Sequence, residues 1–196
     1  MTQQKIFLGS AAFMLALLSM APAEAHTGQG ALGGFQSGFA HPVFGLDHLL
    51  AMLAVGIWGA QMGGRRVWTL PVTFPLIMAL GGIAGMAGLY LPQVELGIAL
   101  SVLVLGLAIA IAWRPFEWVA LILIAIFAVF HGYAHGIELP NAADPAAYSA
   151  GFVIATGAIH IIGIGIGLVL SKLLHGWVSR GLGGAIAVSG FYFLWA

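Results

Sequence analysis

The sequence predicts an all-α protein: a polytopic membrane helix bundle with about six transmembrane helices after a cleaved signal peptide. Of its 196 residues, 61% are hydrophobic and 6% are charged, and the mean hydropathy is +1.06. Soluble domains carry about 25% charged residues, so this chain cannot cover a water-facing surface and lipid is its expected main solvent. Its apolar stretches are separated by short connectors rich in glycine, proline or charge, which is typical of antiparallel helix pairs.

Residues 1–25 have the features of a signal peptide. Lys5 gives a positive start, and the apolar run over 6–20 is too short to span a membrane comfortably. An Ala-Glu-Ala sequence ending at Ala25 fits the small-x-small cleavage pattern. Cleavage there would give a bacterial inner-membrane protein a periplasmic N-terminus, with His26 and its α-amine as a secondary candidate metal ligand. The alternative to a cleaved signal peptide is an uncleaved first helix. The alternative to a metal ligand at His26 is a frayed terminus.

The remaining residues, 26–196, are predicted to form a single transmembrane helical domain. Its apolar spans lie near residues 42–62, 67–90, 95–113, 116–138, 148–171 and 178–196. With the N-terminus outside, the cytoplasmic connectors hold every basic residue of the mature chain, namely Arg65, Arg66, Arg114, Lys172 and Arg180. The outer connectors hold Glu95, Glu138 and Asp144 and no basic residue. This distribution follows the positive-inside rule.

Small residues within the spans predict close helix packing. Glycine pairs at G-x-x-x-G spacing include Gly81 with Gly85 and Gly132 with Gly136. Such pairs let helix backbones approach closely within a bundle, and they also permit a homo-oligomer. Pro71 and Pro75 are expected to kink the second span, with neighbouring groups satisfying the freed carbonyls.

Composition excludes several classes of function. The formal net charge is zero, which argues against nucleic acid as a partner. The chain has no cysteine, so disulfides, thiolate metal sites and cysteine nucleophiles are excluded. A soft cation such as Cu(I) would find only methionine sulfur, which favours harder or borderline metals.

The first histidine patch opens the first span, and it reads His-Pro-Val-Phe-Gly-Leu-Asp-His from His41 to His48. Ionisable groups at membrane depth cost about 2.5–3.5 kcal/mol each on insertion scales, so they are functional candidates by default. Pro42 suits the first turn of a helix. A helix starting there would place His41 and His48 on one face, two turns apart, with Asp47 beside His48.

The second histidine patch ends the fourth span. His131 and His135 stand at i and i+4, and Glu138 follows at i+7, so all three are expected on one helix stripe. Because the fourth span runs from inside to outside, this stripe falls at the same depth as the first patch, near the outer surface. The sequence therefore predicts that the two patches converge.

Together the patches contain what a borderline divalent metal needs. Two carboxylates would offset the charge of the ion, and neutral imidazoles would supply nitrogen ligands. The predicted metal-site residues are His41, Asp47, His48, His131, His135 and Glu138. The alternative for this set is a buried polar network that only locks helices together. His160, near the middle of the bilayer, is a secondary candidate, either a deeper ligand or a packed, hydrogen-bonded histidine.

These motifs resemble those of the HupE/UreJ family. The resemblance depends on H-P-x-x-G-x-D-H at 41–48, the following Ala51, Met52 and Gly56, and F-H-G-x-A-H-G-x-E at 130–138. It implies an inner-membrane permease for nickel, or cobalt, associated with hydrogenase or urease maturation, and it implies that the six site residues matter for transport. The first motif is also similar to the H-x-x-x-x-D-H of larger nickel/cobalt transporters, although here five residues separate His41 from Asp47.

We therefore expect a secondary transporter and not an enzyme, with no tightly bound cofactor and with Ni²⁺ or Co²⁺ as substrate. The sequence shows no phosphate-binding loop. The membrane potential, worth about 2.3 kcal/mol per charge per 100 mV, would favour cation uptake. One alternative is an intramembrane Zn²⁺-dependent hydrolase, because three histidines and an acid can hold zinc with an open position. The other is a membrane metal sensor or assembly factor that moves no ions.

Overall fold

The computed structural model describes residues 33–139 and 144–196, and within those ranges it contains helices and no β-strand. The seven α-helices of this part of the chain are α1 (Gly34–Phe44), α2 (Leu46–Met62), α3 (Arg66–Met86), α4 (Val94–Ala110), α5 (Glu117–Ile137), α6 (Pro145–Leu170) and α7 (Trp177–Phe193). A short 3₁₀ turn, Leu173–Gly176, precedes α7. The predicted signal peptide and His26 lie outside the described residues.

Several of these helices can cross a membrane. Helices α3, α5 and α6 have 21, 21 and 26 residues, with mean hydropathies of 1.7, 1.9 and 2.3 in their most apolar windows. Helices α1 and α2 pass the same test together, as one broken pair, and α4 is a shorter apolar helix. The described residues thus contain three helices of spanning length, or four with the broken pair, and the protein is a multi-pass, all-helical membrane protein.

The first histidine patch does not lie on one helix, and the prediction of a helix starting at Pro42 was wrong. Helix α1 includes Pro42 in its last turn, the chain becomes extended at Gly45 (φ −74°, ψ 104°), and α2 leaves at 76° to α1. Pro42 cannot donate to the carbonyl four residues before it, and glycine is a poor helix former, so the helix is weak at this point. Asp47 then accepts a 2.7 Å hydrogen bond from the His48 N–H in the first turn of α2, where such N–H groups lack helical partners.

Helix α2 forms the centre of the bundle. It is buried over most of its length from Leu50 to Met62 and contacts α1, α3, α4, α6 and α7. At its C-terminal end, Trp58 Nε1 donates to the Trp113 carbonyl at 2.9 Å, and Gln61 Nε2 donates to the Ile109 carbonyl at 3.1 Å. These carbonyls lie at or just beyond the end of α4, where helical donors run out, so polar side chains of α2 fix the end of α4.

Glycines bring α3 and α5 into backbone contact. A Cβ at Gly132 would overlap the carbonyl oxygen of Met78, and a Cβ at Gly85 would crowd that of Tyr133. The G-x-x-x-G pairs of α3 and α5 therefore serve packing inside this chain. Since His131 precedes Gly132 by about 100° around the helix, the glycine face of α5 meets α3 while its histidine face turns toward α2.

Candidate metal site

The structure brings the two histidine patches together at one end of the bundle. The rings of His41 and His48 have centroids 5.3 Å apart, and the His135 ring lies 4.6 Å from His41 and 5.0 Å from His48. One ring nitrogen from each of the three lies within 4.8 Å of the others. All three residues are buried. We call them the three-histidine site; it joins α1, α2 and α5.

Two carboxylates flank this site, each against one imidazole. His48 Nδ1 lies 2.9 Å from Asp47 Oδ1, and His41 Nε2 lies 3.0 Å from Glu138 Oε2. Glu138 is the C-cap that follows the last residue of α5, and its side chain is 23% exposed. The structure thus places Asp47 and Glu138 behind the imidazoles, where their negative charge lowers the cost of bringing a cation into the site.

The partner of His48 determines which of its nitrogens can bind a metal. A carboxylate only accepts, so Nδ1 of a neutral His48 carries the proton and donates to Asp47. Nε2 then carries a free lone pair, and this nitrogen is buried without a hydrogen-bond partner among the described residues. A carboxylate that holds one imidazole nitrogen and leaves the other for a metal is the usual arrangement around histidine ligands.

His131 lies beside the three-histidine site, one helical turn along α5 from His135. Its ring centroid is 4.9 Å from that of His48. Nδ1 lies 3.0 Å from the Phe127 carbonyl, which can only accept a hydrogen bond. Nδ1 of the neutral ring therefore carries the proton, and Nε2 carries the lone pair. Nε2 is buried and unpartnered in the described structure. His131 thus contacts His48 but does not contribute one of the three grouped nitrogens of the site.

His135 is held by packing. Its ring stacks on Phe152 of α6, with centroids 4.7 Å apart and planes 3° from parallel. Both of its nitrogens are buried without a partner in the described part of the chain. A buried polar group left unpaired costs about 1–3 kcal/mol. A network that served only to join helices would pair these nitrogens with donors or acceptors. Two unpaired nitrogens beside His41 and His48 therefore favour a bound cation.

His160 lies apart from the three-histidine site, on α6. Its Nδ1 lies 3.0 Å from the Pro71 carbonyl of α3. Pro75 has no N–H to give that carbonyl its helical partner, and α3 nevertheless continues unbroken to Met86. His160 therefore satisfies a freed carbonyl, as the sequence predicted for this proline pair. Its Nε2 is buried with no partner among the described residues.

Aromatic residues complete the surroundings of the site, and the sequence did not single them out. Phe74 contacts His131 and His160 edge-on, with centroids 5.3 Å and 5.4 Å away, and Phe152 supports His135. In a chain rich in apolar spans, an aromatic residue gives no signal that separates a ligand-supporting ring from ordinary packing.

The chain resembles known proteins over nearly its whole length. The family profile described as HupE / UreJ protein matches residues 13–193. Protein HupE of Rhizobium leguminosarum bv. viciae is 45% identical over 176 residues, which cover 90% of this chain and 91% of that relative. No solved structure matches the chain.

Proposed function

The chain belongs to the HupE/UreJ family, and on that premise we propose that it is an inner-membrane secondary permease that takes up a divalent transition metal, Ni²⁺ or Co²⁺. The observation that carries the proposal is the three-histidine site. Three buried imidazoles from separate helices place a nitrogen each within 4.8 Å of one another, and two carboxylates stand against them. Imidazole nitrogen with carboxylate support suits borderline divalent ions.

We further propose six membrane crossings, made by α2 to α7, with α1 leading into the first. Helices α4 and α7 have 17 residues each, the lower end of the range of about 17–25 for a transmembrane helix. Five basic residues lie in, or within one helical turn of, the connectors α2–α3, α4–α5 and α6–α7, and we call this end of the bundle the basic end; they are Arg65, Arg66, Arg114, Lys172 and Arg180. The positive-inside rule makes that end cytoplasmic and the three-histidine site periplasmic.

In this arrangement Glu138 is the first group that an incoming ion meets. Its partly exposed carboxylate attracts the hydrated cation, and its 3.0 Å contact with His41 gives way as the ion binds. The imidazoles of His48 and His135 then replace water ligands, while Asp47 stabilises the positive charge through His48. The membrane potential, worth about 2.3 kcal/mol per charge per 100 mV, drives the ion inward.

The three-histidine site would also suit a second function, that of a zinc hydrolase, because three imidazoles can hold catalytic zinc with an open coordination position. A hydrolase would retain one Zn²⁺ per chain through dialysis. A permease must release its ion, so its Ni²⁺ or Co²⁺ exchanges readily. A non-transporting assembly factor would bind the ion and leave it on the same side of the membrane.

The test is metal movement into proteoliposomes that contain the purified protein, with a panel of divalent ions and a pH indicator inside. We expect Ni²⁺ or Co²⁺ uptake, and a loss of more than about tenfold in His48→Asn, which removes a ligand. His175→Asn is the matched control, because His175 is exposed in the turn before α7 and its φ of 55° suits asparagine. No uptake by wild type, or equal uptake by wild type and His48→Asn, would contradict the permease or the site.

A further inference from the structure

A second group of side chains with sulfur, oxygen and nitrogen donor atoms lies deeper in the bundle than the three-histidine site. Counting along each helix, Met52 is one turn beyond His48 on α2, and Thr156 is one turn beyond Phe152 on α6. His160 is one further turn along α6. At 1.5 Å per residue it lies about 12 Å deeper than Phe152, the residue stacked on His135.

Three helices meet at Thr156. Its hydroxyl lies 3.3 Å from Met52 Sδ and 4.0 Å from Met78 Sδ, so side chains of α2, α3 and α6 contact one another there. None of the three has any solvent exposure. A threonine inside a helix commonly donates to a carbonyl of its own helix; the hydroxyl of Thr156 is instead turned to the two sulfurs. One hydroxyl oxygen and two thioether sulfurs thereby lie together in the interior of the bundle.

His160 presents a free nitrogen in the same region. Because the Pro71 carbonyl accepts from Nδ1, the proton of a neutral His160 is fixed on Nδ1 and Nε2 is the lone pair. Nε2 is buried and has no hydrogen-bond partner in the described structure, so its lone pair is available to a cation.

The inner group is continuous with the three-histidine site. His131 contacts His48 on one side, and Phe74 contacts both His131 and His160 on the other. Met78 lies level with His131, because its carbonyl is the atom that Gly132 packs against. One turn below the three-histidine site, His131 therefore lies level with the two sulfurs and the Thr156 hydroxyl, and His160 lies one turn deeper still.

From this juxtaposition we propose that Met52, Met78, Thr156 and His160 form a second, inner cation site that accepts the ion from His131 on its way to the basic end. The inference rests on the proposed permease function and deepens it. The ligands are two thioethers, a hydroxyl and an imidazole, with no carboxylate among them. They hold a borderline ion less tightly than the three-histidine site, which favours onward release, and their sulfurs disfavour hard ions such as Mg²⁺ and Mn²⁺.

The decisive variant is His160→Asn. The asparagine amide occupies the place of Nδ1, so it can still donate to the Pro71 carbonyl, but it has nothing in the place of Nε2. In proteoliposomes we expect Ni²⁺ uptake by His160→Asn to fall at least about tenfold, the scale typical of a lost metal contact. The equilibrium affinity for Ni²⁺, set by the three-histidine site, should stay within about twofold of wild type. Uptake at the wild-type rate would overturn the inner site and leave the permease standing. Absence of uptake by wild type would instead overturn the permease.

A second measurement does not depend on transport or on the stability of one variant. X-ray absorption at the cobalt edge of purified protein, with Co²⁺ in excess of one ion per chain, should show sulfur among the neighbours of the metal. The sulfur signal should disappear in the Met52→Leu/Met78→Leu double variant, which keeps side-chain volume. A wild-type spectrum with nitrogen and oxygen neighbours alone would refute the methionine ligands. The His175→Asn variant serves as the control in both experiments.

Discussion

The imidazole of His135 lies flat against the ring of Phe152, with centroids 4.7 Å apart and planes only 3° from parallel. This stack joins α5 to α6 and holds the one site histidine of which both nitrogens lack a hydrogen-bond partner among the described residues. The other site histidines are oriented by carboxylates or carbonyls, whereas His135 is oriented by an aromatic face.

Replacing Phe152 with leucine should therefore weaken metal binding without removing a ligand. Aromatic stacking contributes about 0.5–1.5 kcal/mol beyond area burial, so we expect the Kd for Ni²⁺ to rise by up to about tenfold. Isothermal titration of purified protein measures this. Phe191→Leu, at an exposed position on α7, should leave the Kd unchanged; an unchanged Kd in Phe152→Leu as well would show that the stack does not position His135.

Asp47→Asn tests the carboxylate behind His48. Asparagine can still accept from the His48 backbone N–H and ring, but it lacks the negative charge that stabilises a cation bound to the imidazole. Loss of such a partner usually costs about 10–100-fold in metal affinity. Asp144→Asn is the matched control, because Asp144 caps α6 by accepting from the Ala147 N–H at 2.7 Å and asparagine caps equally well. Equal affinities in the two variants would contradict the role of Asp47.

Glu138→Gln removes the charge at the mouth of the site. We expect slower Ni²⁺ uptake, with the largest deficit at low salt, because attraction between exposed charges is screened by ions over about 10 Å at 0.1 M. Glu117→Gln provides the comparison: Glu117 pairs with Arg65 and Thr69 at the basic end, where an exposed ion pair contributes only about 0–1 kcal/mol. Uptake rates measured across a salt series distinguish the two.

Gly132→Ala tests the helix contact that positions the histidines of α5. The added Cβ would overlap the Met78 carbonyl, and relieving it must move α5 away from α3 at a cost of about 1–3 kcal/mol. We expect a lower melting temperature in detergent and a loss of uptake. Gly165→Ala on α6 meets no atom within 4 Å and should be neutral or slightly stabilising. A Gly132→Ala protein as stable and active as wild type would mean that this close approach is dispensable.

The absence of native cysteine makes the proposed orientation directly measurable. Tyr90 is 89% exposed in the connector between α3 and α4, and Ser171 is exposed in the connector after α6. With a membrane-impermeant maleimide applied to intact spheroplasts, Tyr90→Cys should be labelled and Ser171→Cys should be labelled only after lysis. The opposite pattern would invert the topology and put the three-histidine site in the cytoplasm.

The convergence of the two histidine patches could be predicted from the sequence, because the cost of burying ionisable groups and the spacing of the histidines both indicate it. Ionisable residues are rare in apolar spans, and the i, i+4 spacing of His131 and His135 determines their shared face wherever the helix packs. The break at Gly45 escaped prediction because Pro42 fits both the first turn of one helix and the last turn of another. The choice depends on tertiary packing of α1, which no local pattern encodes.

The sequence also could not show which ring nitrogen of each histidine is protonated and which is available to a metal. Whether Nδ1 or Nε2 of His131 or His160 is available depends on which carbonyl lies nearby, and the Pro71 carbonyl is brought to His160 by the contact of α3 with α6. The grouping of Met52, Met78 and Thr156 likewise comes from three segments far apart in the chain.

The bend at Gly45 puts His41 on a different helix from His48, so the three-histidine site draws its nitrogens from three helices. Helix α1 carries His41 and is packed onto α6 so tightly that a Cβ at Gly38 would overlap the Tyr148 carbonyl, while His48 and His135 belong to α2 and α5. Helix α6 in turn packs on α2, where a Cβ at Gly163 would overlap the Leu53 carbonyl, and its Phe152 stacks on His135. Moving His41 away from the other two nitrogens therefore requires α6 to shift against α2, so release of the ion is coupled to the packing at the centre of the bundle.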